Sequence, residues 1–208
     1  MTAVAHVRVA LRRDAIIPPY SNSSSKMKLI GSLTSPYARK ARIVLAEKKI
    51  EYEFVLDNPW QADSGVARFN PLGKVPVLVL DDEFVLPASG RERIRVKRWE
   101  ARADGVLDAA VAVFLEEKRP TKERSADWIA RQREKIDRAL ETMSEDLGEQ
   151  PWCGGNAFSL ADVAVGTALG YLAFRLPDIA WRTRHANLAR LYEDLMARPS
   201  FADTIPQG

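Results

Sequence analysis

The chain has 208 residues, of which 46% are hydrophobic, so it can bury the core of one large domain or two small ones. Its 31 basic and 28 acidic residues give no strong case for nucleic-acid binding, and no apolar run approaches the roughly 20 residues of a membrane span. With one cysteine, Cys153, and two histidines, neither an intramolecular disulfide nor a Cys/His metal cage is expected, and a reducing, cytoplasmic location is the default.

The first 26 residues differ in composition from the rest of the chain. Arg12-Arg13 is followed by Pro18-Pro19 and by a serine-rich stretch at residues 21–25, which predicts an extension that does not pack. A transit peptide is the alternative, but the stretch has no clear amphipathic helix and carries Asp14. We therefore expect residues 1–26 to be an unstructured extension and Met27 to be the natural beginning.

Residues 27–86 show the pattern of a small α/β domain. A short strand at residues 28–31 precedes a helix that begins at Ser35-Pro36, because serine is a good N-cap and proline suits the first helical position. A strand at residues 52–56, a loop, and two strands at residues 77–80 and 83–86 complete the order β-α-β-loop-β-β. The last two strands are predicted to form a hairpin at Asp81-Asp82.

After Gly90 the pattern is helical only. A long helix over residues 91–117 carries Val96, Trp99 and Val113 on one apolar face, and a second helix over residues 129–147 is amphipathic. A third helix begins at Ser159 and is apolar on nearly all sides, and a fourth ends at Pro199. We expect the third helix to be the buried centre of an all-α domain over residues 91–204, with the domain boundary near residues 87–90.

The first candidate site is the start of the predicted first helix, Thr34-Ser35-Pro36-Tyr37. A helix N-terminus carries roughly half a positive charge and free N–H groups, so it favours a nearby anion. A hydroxyl at that place can also donate a hydrogen bond to a thiolate, and both effects lower the pKa of the thiol. The alternative interpretation is that Ser35 is only a helix cap.

The second candidate site is Gly73-Lys74-Val75-Pro76-Val77. Proline is permitted at the first residue of a strand. A cis bond before Pro76 would turn the Val75 N–H and C=O outward, where they could pair with a peptide ligand as a strand does. The alternative is an ordinary trans proline at a strand edge.

A third motif, Ser159-Leu160-Ala161-Asp162, is a capping box in which Asp holds the place more often taken by Glu. The serine side chain serves the helix N-terminus, and the acid reaches back to the serine main chain. We interpret this motif as structural, because it nucleates the buried third helix and performs no chemistry.

The ordered set of these motifs resembles the glutathione S-transferase superfamily, over about residues 27–204. Residues 31–37 and 69–77 are similar to a bacterial branch with a thioredoxin-like N-terminal domain, and residues 158–162 look like the start of its C-terminal domain. The resemblance implies conjugation of glutathione, a co-substrate, to a small hydrophobic electrophile, as in detoxification. It also implies a cytoplasmic homodimer without a metal and without nucleic-acid or membrane partners.

The resemblance also assigns roles to individual residues. Ser35 falls where the family has the Ser or Cys that contacts the glutathione sulfur, and Thr34 and Ser32 are close enough to be alternatives. Val75 would pair with the cysteinyl main chain of glutathione. The residues assigned to glutathione binding are Thr34, Tyr37, Lys74, Val75 and Pro76. The electrophile pocket would lie between the domains, and Tyr37 and Trp99 are either residues of its wall or simply core.

The chain departs from the family pattern after its last predicted strand. There the family has a Glu-Ser or Asp-Ser pair, which binds the γ-glutamyl end of glutathione, and then a helix. Here Leu86 runs directly into Pro87-Ala88-Ser89-Gly90, so the first domain lacks its last helix. Either a helix-bearing segment is absent between Leu86 and Pro87, or the protein lacks part of the glutathione site. We predict that the helix-bearing segment is absent, so the main chain should be interrupted between Leu86 and Pro87.

Two other functions compete with the transferase interpretation. A non-catalytic binding or interaction protein of the same superfamily is favoured if the departure after Leu86 is real. A glutathione-dependent thiol oxidoreductase requires a cysteine near the first helix, where this chain has Ser35. Cys153 lies far along the chain, beside Trp152, and we interpret it as structural.

Overall fold

The structure is a computed structural model, and it describes residues 9–10, 27–70, 73–79 and 90–207. The chain divides into two compact units, Met1–Leu86 with Pro206–Gly208, and Pro87–Ile205. The strands are β1 (Val9–Ala10), β2 (Lys28–Gly31), β3 (Glu53–Leu56) and β4 (Val77–Val79). The helices are α1 (Pro36–Glu47), α2 (Gly90–Glu117), α3 (Ala126–Leu147), α4 (Leu160–Arg175), α5 (Trp181–Arg184), α6 (Ala186–Met196) and α7 (Pro199–Ala202).

The first unit is built on a four-stranded sheet in the order β1-β3-β2-β4. Strands β2 and β3 are parallel, with Leu29 opposite Phe54, and β4 runs antiparallel to β2, with Ile30 opposite Val77. A buried cluster of Leu29, Leu45 and Phe54 joins the sheet to α1. The predicted order from β2 to β4 is therefore confirmed. The predicted strand at residues 83–86, its hairpin and the predicted interruption at Leu86–Pro87 lie outside the described residues.

The N-terminal extension differs from its prediction at two residues. Val9–Ala10 form the edge strand β1, which pairs in parallel with Phe54 and Val55 of β3. Because an edge strand presents unpaired N–H and C=O groups, β3 can take up a short segment without any sequence signal beyond β-compatible side chains. Residues 1–8 and 11–26 lie outside the described part of the chain.

The second unit has helices and no strand among its described residues, apart from an isolated bridge between Trp152 and Gly155. Helix α2 packs against both α3 and α4, and α4 also contacts α6. Every residue from Ala161 to Leu172 of α4 is buried, which confirms the prediction that the third long helix is the centre of this domain. The predicted fold class, an α/β thioredoxin-like domain followed by an all-α helical domain, is confirmed. None of the described helices combines the length and apolarity that crossing a membrane requires.

Gly166 in α4 gives a sharp test of this packing. A Cβ atom there would lie 2.5 Å from Leu195 Cδ1 and 2.7 Å from Phe201 Cε1, and both side chains are fully buried. We expect Gly166→Ala to lower the free energy of unfolding, because overpacking costs about 1–3 kcal/mol and offsets the roughly 1 kcal/mol gained in helix propensity. Denaturant unfolding measures this change.

The matched control is Gly105→Ala in α2. Gly105 is exposed, and nothing lies within 4 Å of the position that an alanine methyl group would take there. The helix-propensity gain of roughly 0.5–1 kcal/mol is therefore expected without a steric cost. A stability gain in both variants would show that α4, α6 and α7 are less tightly packed than described.

Candidate functional site

The start of α1 approaches β2 closely because Gly31 has no side chain. A Cβ atom at Gly31 would lie 2.9 Å from Ala38 Cβ, and Ala38 is completely buried. The chain then turns through residues 32–35, and the Ser35 N–H donates to the Ser32 carbonyl at 3.2 Å. This turn presents three hydroxyl side chains, those of Ser32, Thr34 and Ser35, next to the helix N-terminus. All three are only partly buried, so a ligand can reach them.

Ser35 is the N-cap of α1, as its position before Pro36 predicts. Its Oγ accepts from the Ala38 N–H at 3.2 Å, and its carbonyl accepts from the Arg39 N–H at 3.0 Å. A serine hydroxyl has one proton to donate as well as two lone pairs. Among the described residues no acceptor receives the Ser35 proton. The cap and the thiolate-donor interpretations are therefore compatible, because they use different parts of the same hydroxyl.

The electrostatics of this end of α1 favour an anion. The helix has 12 residues and no acidic residue in its first turn, so no carboxylate of that turn opposes the positive end of its dipole. In the described residues, no group of His, Cys, Asp or Glu side chains could hold a metal ion. The site offers hydroxyl donors and a helix terminus as its means of stabilising negative charge.

The second candidate motif begins with a turn that Asn70 holds. The Asn70 side-chain amide donates to the Lys74 carbonyl at 2.9 Å, and the Asn70 carbonyl accepts from the Gly73 N–H at 2.8 Å. Gly73 has φ +61°, a left-handed conformation that favours glycine. The sequence alone predicted no role for Asn70. The only available signal was the Asn-Pro pair, which indicates a turn without saying what the amide binds.

The Val75–Pro76 peptide bond is cis, which confirms the prediction. No hydrogen bond joins the main chain of Val75 to another residue in the described part of the chain. Val75 and Pro76 are partly buried, and Lys74 is exposed. An extended peptide can therefore reach the Val75 N–H and C=O as it would reach an edge strand.

The sheet register brings the two motifs to the same end of the first unit. Ile30 of β2 lies opposite Val77 of β4, so the hydroxyl turn continues from β2 where Val75 precedes β4. Neighbouring strands are about 4.8 Å apart, so the two segments face a common small region. The residues predicted from sequence to bind glutathione all belong to these segments: Thr34, Ser35, Tyr37, Lys74, Val75 and Pro76.

Two other candidate residues are buried in the helical unit. Trp99 is 2% exposed, which favours core over pocket wall. Cys153 is also buried, and its main-chain N–H donates to Asp162 Oδ1 at 2.7 Å. Burial, together with the charge of Asp162, raises the pKa of the Cys153 thiol far above its ordinary value. A neutral, buried thiol is not a nucleophile, which supports the structural interpretation of Cys153.

Comparison with known proteins matches both parts of the chain to domains of one family. Family models described as glutathione S-transferase N-terminal domain and C-terminal domain match residues 34–89 and 126–194. The uncharacterised GST-like protein YibF of Escherichia coli K12 is 40% identical over 200 residues, which cover 86% of this chain and 98% of YibF.

Two solved glutathione S-transferases are similar in sequence and structure. The glutathione S-transferase of Methylobacterium radiotolerans, in complex with glutathione sulfonate, is 42% identical with a TM-score of 0.82, and the match covers 88% of this chain and 95% of that enzyme's chain. The glutathione S-transferase of Methylobacillus flagellatus, with GSH bound, is 43% identical with a TM-score of 0.83, and the match covers 87% of this chain and 100% of that enzyme's chain. The chain therefore belongs to the glutathione S-transferase superfamily.

Proposed function

We propose that this protein is a glutathione transferase that joins the glutathione sulfur to small hydrophobic electrophiles. The observation that carries the proposal is the Ser35 hydroxyl, which caps α1 with a lone pair and keeps its proton for a ligand. The two solved relatives at 42% and 43% identity were crystallised with glutathione sulfonate and with GSH, which supports glutathione as the ligand here.

In the proposed reaction, Ser35 donates its O–H to the glutathione sulfur at the positive end of α1. Both interactions are stronger with the thiolate than with the thiol, so they lower the pKa of the thiol and raise the thiolate fraction near neutral pH. The thiolate uses a sulfur electron pair to form an S–C bond with the electrophile. A leaving group departs with its bonding pair, or, in an addition, the adjacent atom takes a proton from water.

The remaining site residues are proposed to hold glutathione in place. The Val75 N–H and C=O, which no other described residue uses, pair with the cysteinyl main chain of glutathione. Lys74 is exposed beside Val75 and offers a positive charge to a glutathione carboxylate. Thr34 and Tyr37 lie on either side of the Ser35-Pro36 pair and complete the binding residues.

A non-catalytic glutathione-transferase-like binding protein is the second candidate. The acidic-Ser pair expected after the last strand is missing from the sequence around Leu86. Loss of the γ-glutamyl contacts would weaken glutathione binding and favour this alternative.

Retention on immobilised glutathione, followed by an assay against a panel of electrophiles, separates the two candidates. The transferase proposal predicts retention that free glutathione reverses, and turnover of at least one electrophile above the uncatalysed rate. Retention without turnover across a panel of aryl halides, epoxides and activated alkenes would favour the non-catalytic protein. A protein that is not retained and has no turnover would contradict both the site and the proposed activity.

Asn70→Ala tests the role of the Val75 segment. Loss of the 2.9 Å hydrogen bond to the Lys74 carbonyl frees the turn that presents Val75. We expect KM for glutathione to rise about five- to tenfold with little change in kcat, because a hydrogen bond of this kind contributes about 1 kcal/mol to an interaction made in both ground and transition states. Steady-state kinetics with varied glutathione measures the effect.

Asn58→Ala is the matched control for Asn70→Ala. Asn58 Oδ1 likewise makes a local hydrogen bond to the main chain, accepting from the Trp60 N–H at 3.2 Å, but in the loop that follows β3. Its KM for glutathione should stay near the wild-type value. An equal rise in both variants would assign the effect to general loosening of loops.

The proposal also includes a cytoplasmic location, a role in detoxification and a homodimeric assembly. The homodimer is expected because closed two-fold dimers are the commonest assembly of soluble oligomers. Sedimentation equilibrium at micromolar concentration is expected to give the mass of two chains. A single 23.3 kDa species at that concentration would contradict the homodimer.

A further inference from the structure

We propose that Ser32 and Thr34 form a hydroxyl relay that supplies a second O–H donor to the glutathione thiolate. Thr34 is the donor, and Ser32 is the residue that positions and polarises it. The inference rests on the proposed function, since it concerns the same sulfur that Ser35 contacts. Its basis is a 2.9 Å hydrogen bond between Ser32 Oγ and Thr34 Oγ1, together with a 3.3 Å hydrogen bond from the Thr34 N–H to Ser32 Oγ.

The protons of this turn can be counted. Each hydroxyl has one proton, and the hydrogen bond between Ser32 and Thr34 uses one of the two that the pair holds. The other proton has no acceptor among the described residues. Ser35 keeps a further proton, because its Oγ acts only as an acceptor in the cap. The turn therefore presents two uncommitted O–H donors, where a helix cap alone would present one.

Either hydroxyl can be the donor in the Ser32–Thr34 hydrogen bond, because Ser32 Oγ has two lone pairs and only one of them accepts from the Thr34 N–H. The proposed relay uses the arrangement in which Ser32 Oγ donates to Thr34 Oγ1. In that arrangement Thr34 accepts from Ser32 and donates outward. Thr34 directly precedes the cap of α1, whose first turn contains no acidic residue, so an anion held at Ser35 draws the Thr34 proton toward itself.

The relay strengthens the outward hydrogen bond. A hydroxyl that accepts a hydrogen bond becomes a better donor, because the two bonds polarise one another. Both side chains are partly buried, where such an effect is screened less than in open water. Ser32 is thus expected to act on the sulfur only through Thr34, and this dependence distinguishes a relay from two independent contacts.

The test is a pH titration of the thiolate absorbance of glutathione bound to saturated protein. Thr34→Val keeps the side-chain shape and removes the hydroxyl, and we expect it to raise the pKa of the bound thiol by about one unit. Ser32→Ala should raise that pKa by a smaller amount. The double variant should match Thr34→Val alone, because Ser32 has no route to the sulfur without Thr34. Thr34→Ser keeps a hydroxyl at this position and should leave the pKa of the bound thiol at its wild-type value.

The outcomes also separate this inference from the proposed function. A raised pKa in Ser35→Ala together with an unchanged pKa in Thr34→Val would overturn the relay and leave the transferase proposal intact. An effect of Ser32→Ala as large as that of Thr34→Val, or additive with it, would also overturn the relay. If Ser32→Ala lowers the free energy of unfolding without moving the pKa, Ser32 only shapes the turn and the relay is again overturned. No thiolate absorbance in the wild-type protein would contradict the proposed function itself.

Discussion

Replacement of Ser35 by alanine is expected to reduce kcat/KM for glutathione conjugation by about 10²–10³-fold, the usual cost of removing a positioned hydrogen-bond donor. The hydroxyl proton stabilises the thiolate more than the thiol, so its loss raises the pKa of bound glutathione and shifts the pH–rate profile to higher pH. The reduction in kcat/KM should be largest near neutral pH and smaller at the alkaline pH where free thiols ionise. Initial rates over a pH series measure both effects.

A control is needed because Ser35 also caps α1. The Ala38 N–H loses its 3.2 Å acceptor in Ser35→Ala, so the protein should also lose about 1 kcal/mol of stability. Ser125 caps α3 in the same way, accepting from the Trp128 N–H at 3.2 Å. Ser125→Ala should lose similar stability and keep full activity. An unchanged pH–rate profile in Ser35→Ala would move the thiolate contact to Thr34 or Ser32.

Asp162→Ala is expected to lower the free energy of unfolding by about 3 kcal/mol, since one buried and two partly buried donors lose their acceptor and a buried donor left unsatisfied costs about 1–3 kcal/mol. The Asp162 carboxylate is completely buried at the start of α4. It accepts from the Cys153 N–H at 2.7 Å, the Ser159 N–H at 2.8 Å and the Ser159 hydroxyl at 3.0 Å. Denaturant unfolding of both proteins gives the difference.

Two milder variants keep this prediction testable if Asp162→Ala does not fold. Asp162→Asn retains one carbonyl acceptor and should lose less stability than the alanine variant. Ser159→Ala removes the cap but leaves the Cys153 contact in place, and should lose about 1 kcal/mol. A free energy of unfolding within about 1 kcal/mol of wild type in Asp162→Ala would show that the carboxylate is not the anchor of this loop.

Local signals account for what the sequence predicted well. The start of α1 follows from Ser35-Pro36, and the start of α4 follows from the capping box, because both depend on residues within one helical turn. The buried centre at α4 was predictable because a helix that is apolar on all sides must be enclosed. The cis bond before Pro76 and the position of Val75 came from the family resemblance together with the role of proline in strands.

Contacts between distant or unpatterned residues could not be predicted. The short helices α5 and α7 have too few residues to show a periodicity. Strand β1 depends on its pairing with β3, which lies far along the chain, and two β-compatible residues give no signal of their own. The position of Trp99 in the helical periodicity fits either a pocket wall or the core, and only its burial in the structure distinguishes these two interpretations.

The most direct test of the account is the number of protons released when glutathione binds. Calorimetric titrations of glutathione into the wild-type protein at neutral pH, in buffers of different ionisation enthalpy, give this number. Because the free thiol is mostly protonated at neutral pH, an ionised bound sulfur predicts net release that approaches one proton per glutathione, and much less release in Ser35→Ala. Saturable binding without proton release, or no binding, would contradict the claim that this site ionises the glutathione thiol.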